Sequence, residues 1–222
     1  MSDYVFDFIV IFVIGLLIYK FISILKAIKL LRQRNNINDL SGCEIVSKIL
    51  ENNKYDDIYI VKTSNPFSEG YNSSRNTIKL SDGCFDNTTI SDMILVSRLC
   101  SKIILSKHNK NINLKINIIK LLDIINILIY FGVILFSILK YMYYLKIALI
   151  GFIITILIRL LFISYEKEVN KTAIEELKKI DLIDEINKDR IDNLFNELSF
   201  DVVVKPILIV YDLYRYINNK MK

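Results

Sequence analysis

Few side chains in this sequence have the types and spacing that catalysis or metal binding requires. The 222 residues include one histidine, His108, and three cysteines, Cys43, Cys84 and Cys100. A helical zinc site with a catalytic carboxylate needs two histidines four residues apart and a glutamate beside the first. A single histidine excludes that site from the whole chain. Cys100 and His108 are eight residues apart, about 12 Å along a helix, so they could not share a metal there.

The same region offers nucleophiles but no group to activate them. Cys100 would need a nearby base and a lowered pKa. Arg98 and Lys102 are each two residues away, so on a helix they point to different sides. Ser97 and Ser101 have no histidine one turn away. We therefore predict that Cys100 is a buried structural thiol.

Two segments carry a resemblance to a known family. Tyr71 to Phe85 contains Leu-Ser-Asp-Gly, and Val96 to Ile104 follows in an apolar-periodic stretch. Together with Ser41–Ile49, they resemble the bacterial membrane-bound neutral zinc metallopeptidases (YugP-type). In that family a strand ending in Leu-Ser-(Glu/Asp)-Gly precedes a helix carrying His-Glu-Ala-Gly-His. The five matching positions here hold Arg98, Leu99, Cys100, Ser101 and Lys102.

The resemblance implies that the catalytic set has degenerated. Arg98 and Lys102 stand at the expected zinc-ligand positions, and Leu99 stands at the expected general base. Positively charged arginine and lysine side chains cannot replace two neutral histidine imidazoles as ligands of Zn²⁺. We therefore expect no catalytic residues and no cofactor, although the family implies zinc.

One further position of the family's site is matched. Glu168-Val-Asn-Lys-Thr172 partly follows a third family signature, in which Glu168 would correspond to the third zinc ligand. Alone it cannot hold zinc, and a solvated carboxylate near a helix start explains it as well. If Glu168 still faces the former site, its carboxylate should lie within about 4 Å of Arg98 or Lys102.

Composition favours a membrane protein. The chain is 53% hydrophobic with a mean hydropathy of +0.37, and three apolar runs have spanning length. The runs are Tyr4–Leu25, read as a retained anchor, Leu121–Leu139 and Ile147–Ser164. Arg159 lies near the end of the third, where we expect it to snorkel to the headgroups, with pairing as the alternative. We attribute the net charge of +5 to the orientation of the chain in the membrane, and we expect no nucleic-acid partner.

The basic residues flanking these runs predict the orientation. They cluster after the first span, before the second and after the third, which indicates that residues near 33–118 and 166–198 are cytoplasmic. Four regions follow: an anchor (1–32), a cytoplasmic α+β metallopeptidase-like domain (33–118), a transmembrane hairpin (119–165), and C-terminal amphipathic helices with a hydrophobic tail segment (166–222). The predicted location is the bacterial cell membrane, with multiple spans.

The expected fold is a mainly α membrane protein with a small α+β domain, in which a zincin-like motif helix packs on a short β-sheet beside a transmembrane helical hairpin. Ser41 and Glu44 predict a helix start with a capping box. Further predicted elements are a strand at Ile58–Val61, a hairpin around residues 72–76, the motif helix Thr89–Lys107, helices Glu166–Ile180 and Glu185–Leu198, and an interfacial segment Val202–Ile217.

The predicted function is that of a non-catalytic homologue, a pseudoenzyme. Besides the lipid bilayer, its expected partner is a membrane-proximal peptide or protein, which an open sheet edge could bind. Two alternatives stay open. One is an active membrane metallopeptidase that uses unrecognised residues. The other is a purely structural scaffold associating through small residues of the spans, for which Gly132, Ser137, Gly151 and Thr155 are candidates.

Overall fold

The computed structural model describes residues 2–64, 69–72, 75–183 and 186–206. The predicted mainly helical fold with a small sheet is confirmed. The elements are α1 (Ser2–Leu31), α2 (Gly42–Asn52), β1 (Tyr59–Thr63), β2 (Gly70–Asn72), β3 (Thr77–Ser81), α3 (Asp82–Asp86), α4 (Ile90–His108), α5 (Lys110–Ile138), α6 (Met142–Leu160), α7 (Ile163–Lys179) and α8 (Lys188–Leu198). Residues 201–206 are also helical.

Helix α2 begins where its capping residues predict. The Ser41 hydroxyl accepts from the Glu44 backbone N–H, and the Glu44 carboxylate accepts from the Ser41 N–H at 2.7 Å. This reciprocal pair satisfies two of the unpaired N–H groups at the helix start. Ile45 and Ile49 are then fully buried in the core that α2 shares with α4.

The sheet has three strands in the order β1-β3-β2. β1 pairs parallel to β3, and β2 pairs antiparallel to β3, so the predicted hairpin is confirmed. Residues 73–74, between β2 and β3, lie outside the described part. Ile78 and Leu80 of β3 belong to the same core as α4, and β2 forms the sheet edge that contacts α4. The central strand therefore anchors the sheet on the motif helix.

Three helical stretches are long and apolar enough to cross a membrane: Ile11–Leu31, Asn111–Phe136 and Tyr143–Leu160. They overlap the three predicted runs and are compatible with a membrane protein. α5 and α6 form a hairpin in which the Thr155 hydroxyl donates to Asn126 Oδ1 at 2.9 Å and Gly151 faces Ile129. Two of the small residues considered for association between chains thus pack inside this hairpin.

The snorkelling expectation for Arg159 is wrong. Its side chain is fully buried, and Nη2 donates to Asp123 Oδ1 at 2.7 Å. Nη1 donates to the Val202 carbonyl at 3.0 Å, and Lys205 Nζ lies 2.9 Å from the second oxygen of Asp123. Because a carboxylate on α5 lies at the level of Arg159, the guanidinium is paired inside the protein.

The C-terminal helices begin at different residues from those predicted. α7 starts at Ile163, before the predicted Glu166, and α8 starts at Lys188. Glu185 lies outside the described residues, as does most of the segment Val202–Ile217. Val202, Val203 and Val204 are described and buried.

Candidate functional site

Helix α4 is capped at its start and carries buried serines along its length. The Thr89 hydroxyl caps it by accepting from the Asp92 N–H at 3.2 Å. Three buried serines, Ser97, Ser101 and Ser106, donate to carbonyls of their own helix at 2.7–2.9 Å. Each of these hydroxyls is therefore bonded to a backbone carbonyl of its own helix.

Arg98 and Lys102 lie one turn apart on the face of α4 that packs against α7. Arg98 Nη2 lies 2.7 Å from Glu166 Oε2, and Lys102 Nζ lies 3.0 Å from Glu166 Oε1. Each oxygen of one carboxylate therefore binds one cation. The Arg98 and Glu166 side chains are 6% and 3% exposed, so the pair is buried, and we call these three residues the charge cluster.

Arg98 makes two further hydrogen bonds. Nε donates to Asn170 Oδ1 at 2.8 Å, and Nη2 donates to the Leu198 carbonyl at 3.0 Å. Nη1 lies 3.8 Å from Asp201 Oδ2. Arg98 thus joins α4 to α7 and to the end of α8, and burial of the guanidinium is tolerated because it is paired with a carboxylate and hydrogen-bonded.

Two opposing effects act on the Glu166 carboxyl. Burial raises its pKa, but the positive charges of Lys102 and Arg98 outweigh burial and hold the pKa below its ordinary value. Opposite charges at this distance favour the ionised form. Glu166 is therefore a carboxylate at neutral pH.

The prediction that Glu168 pairs with this helix is wrong. Glu168 is exposed on α7, and the carboxylate that meets both Arg98 and Lys102 is Glu166. Two residues along a helix turn the side chain by about 200°, so Glu168 faces away when Glu166 faces inward. The buried positions Val169, Asn170 and Ala173 continue the inward face from Glu166. The spacing of these positions could have identified Glu166 from the sequence as the glutamate on the inward face of α7.

The other candidate ligands are dispersed. Cys100 is completely buried, and burial raises the pKa of its thiol, which agrees with the predicted structural role. Burial also raises the pKa of Cys84, to about 12. His108 is exposed at the end of α4, with Nε2 3.4 Å from the Tyr55 hydroxyl.

Two cavities of about 280 Å³ each adjoin the charge cluster and share a wall. The shared residues are Glu69, Gly70, Leu99, Lys102 and Asp201. The sheet-side cavity extends to Leu80, Cys84, Leu95, Val96 and Arg98. The α5-side cavity extends along the first turns of α5 to Asn113, Asn117 and Lys120, and also meets Tyr165, Val202 and Lys205. Leu99, the residue at the expected general-base position, thus lies in a cleft beside the edge strand β2.

The residues present do not fit the zinc ion that the resemblance implies. Zinc ligands in proteins are imidazole, thiolate or carboxylate groups that offer a lone pair. At the two helix positions, Arg98 and Lys102 offer only N–H donors, and both already bind Glu166. Within the described ranges, no group of three or more His, Cys, Asp or Glu side chains could hold a metal ion.

The chain was compared with protein families, curated proteins and solved structures. A family model described as "putative neutral zinc metallopeptidase" matches residues 6–220, nearly the whole chain. No curated protein and no solved structure matches.

Proposed function

The chain belongs to the family of putative neutral zinc metallopeptidases, and we propose that it is a non-catalytic member that binds an extended, membrane-proximal peptide segment without cleaving it. The observation that carries this proposal is the charge cluster. Arg98 and Lys102 hold Glu166 from the two helix positions where the resemblance expects zinc-binding histidines. Loss of chemistry with retention of the fold is physically reasonable because a site and the fold that carries it can change separately.

In this proposal the charge cluster takes over a structural task of the metal. A zinc ion would join ligands from two helices by its positive charge. Here the same attraction comes from two side-chain cations of α4 acting on one carboxylate of α7. Because Arg98 also bonds to Asn170 and Leu198, the joint needs no exogenous ion.

The proposed binding surface is the cleft between β2 and α4, which contains the sheet-side cavity. β2 is an edge strand of the described sheet, whose strand order is β1-β3-β2. Gly70 in this strand has φ of +127°, and a Cβ there would meet no atom within 4 Å. A glycine in a strand with open space beside it permits close approach of another backbone. An extended peptide could therefore add as a strand along β2.

We also propose that the three apolar helices span the membrane, with the α+β region on the cytoplasmic side. Their length and composition support the spanning role, and the basic flanking residues support the orientation. The cleft would then lie beside the start of α5, close to the membrane surface. This location would restrict the partner to membrane-proximal segments.

The non-catalytic role is tested by measuring both the metal content and the peptidase activity of the protein. Detergent-purified protein should carry no stoichiometric zinc by elemental analysis, and added zinc should not induce cleavage of an unfolded protein substrate such as casein. About one zinc per chain, or cleavage that a chelator abolishes, would overturn the proposal in favour of an active peptidase that uses other residues.

The test of binding uses a fluorescent ten-residue peptide of alternating threonine and valine. Its anisotropy should rise on addition of the protein, and N-methylation of alternate peptide bonds should abolish the rise because strand addition needs main-chain N–H groups. Leu99→Arg should block the cleft and weaken binding. Val61→Arg is the matched control, since Val61 is exposed on β1 at the opposite sheet edge. Equal loss with both variants, or no binding at all, would contradict a role for the β2 cleft.

A further inference from the structure

The α5-side cavity lies where α5 changes from polar to apolar. Asn113, Asn117 and Lys120 line it, and the next exposed residues of the helix are apolar: Leu121 and Ile124 are 55% and 57% exposed. If the helix spans a membrane as proposed above, this level corresponds to the lipid headgroups. The inference below rests on that placement.

Two groups at this cavity that can donate hydrogen bonds have no partner in the described part of the chain, the Tyr165 hydroxyl and the Lys120 ammonium. Tyr165 is 1% exposed, and its hydroxyl has no hydrogen-bond partner in the described part of the chain. Lys120 has no ion-pair partner among those residues, whereas Lys102 and Lys205 are paired with Glu166 and Asp123. A buried donor without an acceptor is costly, so such groups mark places where a ligand or water binds.

The acidic residues lining the cavity are already engaged. Glu166 is neutralised by two cations, and Asp201 lies 3.8 Å from Arg98. Glu69 accepts from the backbone N–H and the hydroxyl of Ser81. Among the charged residues that line the cavity, Lys120 is therefore the one for which the described part of the chain supplies no partner, and its ammonium favours an anionic ligand rich in acceptor oxygens.

We propose that this cavity binds the phosphate group of an anionic phospholipid, with the Lys120 ammonium and the Tyr165 hydroxyl as its donors. Basic pockets beside spanning helices on the cytoplasmic side suit such headgroups. The apolar part of the wall, Ile116, Ile119 and Val202, and the exposed apolar face of α5 below it would contact the acyl chains. This apolar continuation favours a phospholipid over an acidic peptide, whose side chains would gain nothing from it.

The experiment compares lipid retention by native mass spectrometry. The full-length protein is reconstituted in nanodiscs of phosphatidylcholine with or without phosphatidylglycerol, and the lipids that stay bound after release are counted. The wild type should retain phosphatidylglycerol in preference to phosphatidylcholine. Lys120→Gln and Tyr165→Phe should each weaken that retention about tenfold, the effect of removing one strong donor. Lys48→Gln should leave it unchanged, because Lys48 is exposed on α2 and does not line the cavity.

Several outcomes would overturn the proposal. Equal retention of the two lipids, or no effect of either cavity variant, would exclude a phosphate site at this place. Inorganic phosphate that binds with the same variant dependence, without preference for the anionic lipid, would assign the site to free phosphate. An acidic peptide that displaces the lipid would assign it to a protein partner.

Two controls separate this inference from the proposed function and from misfolding. Carbonate extraction of membranes tests the membrane placement, and release of the protein into the soluble fraction would remove the premise itself. Retention in the membrane without lipid preference would contradict the phosphate site alone. Each variant is first compared with the wild type by thermal unfolding in phosphatidylcholine. If Tyr165→Phe does not fold, Lys120→Gln decides the question.

Discussion

At the scale of single residues, the charge cluster sets Glu166 apart from Glu168, although both are acidic residues of one helix. Glu166 is buried between two cations, and Glu168 is exposed. Breaking a buried ion pair leaves an uncompensated charge, which costs far more than losing a surface charge. The two glutamates are therefore a matched pair for measurement.

Glu166→Gln should lower the free energy of unfolding by about 3–5 kcal/mol, because it leaves the buried Arg98 without its main counter-charge. Glu168→Gln should change it by no more than about 0.5 kcal/mol. Denaturant unfolding in detergent measures both. Equal effects of the two substitutions would mean that the charge cluster does not join α4 to α7.

The stability that Glu166 contributes should also depend on pH. Its pKa is held below the ordinary value in the folded protein, so its contribution is present above the unfolded-state pKa of about 4.3 and is lost as pH falls through the folded-state pKa. The difference in unfolding temperature between wild type and Glu166→Gln should stay constant from about pH 7 to 5 and shrink below about pH 4. A difference that grows on acidification would contradict the sign of this pKa shift.

At the scale of elements, helix α2 could be predicted closely from local sequence, because its capping box and apolar periodicity are contacts within a few residues. The pairing of Arg159 was only the alternative to snorkelling in the sequence analysis, because it depends on how two helices lie side by side. Asp123 and Arg159 are equally far along the chain from Tyr141, so a tight antiparallel hairpin brings them level. That signal was available in the sequence, whereas the contact of Arg159 with the Val202 carbonyl depends on tertiary packing.

The packing of α2 on α3 depends on a glycine and gives a prediction at this scale. A Cβ on Gly42 would lie 1.8 Å from the Cys84 carbonyl oxygen, and this backbone oxygen cannot move without displacing α3. Gly42→Ala should therefore destabilise the protein by about 2 kcal/mol or more. Gly83→Ala is the control, because its Cβ would meet the end of the Asn87 side chain at 3.4 Å. Equal unfolding midpoints for Gly42→Ala and wild type would show that α2 and α3 can separate freely.

At the scale of the whole molecule, the orientation in the membrane is a prediction from basic flanking residues, and the structure changes how it must be tested. Cys84 and Cys100 are buried and Cys43 is half-buried, so poor labelling of these thiols in intact cells would reflect burial as much as location. Tyr59 on β1 and Tyr143 in the first turn of α6 are each 72% exposed. Cysteines at these two positions would have matched accessibility.

In a background without the three native cysteines, an impermeant thiol reagent should label Tyr143→Cys in intact cells and leave Tyr59→Cys unlabelled. The physical reason is that basic residues are retained on the cytoplasmic side, and they are concentrated around the α+β region. After membrane disruption both sites should react at similar rates, since their exposure is equal. The reverse pattern in intact cells would move the β2 cleft and the α5-side cavity to the outer face. Both proposed ligands would then have to be sought outside the cell.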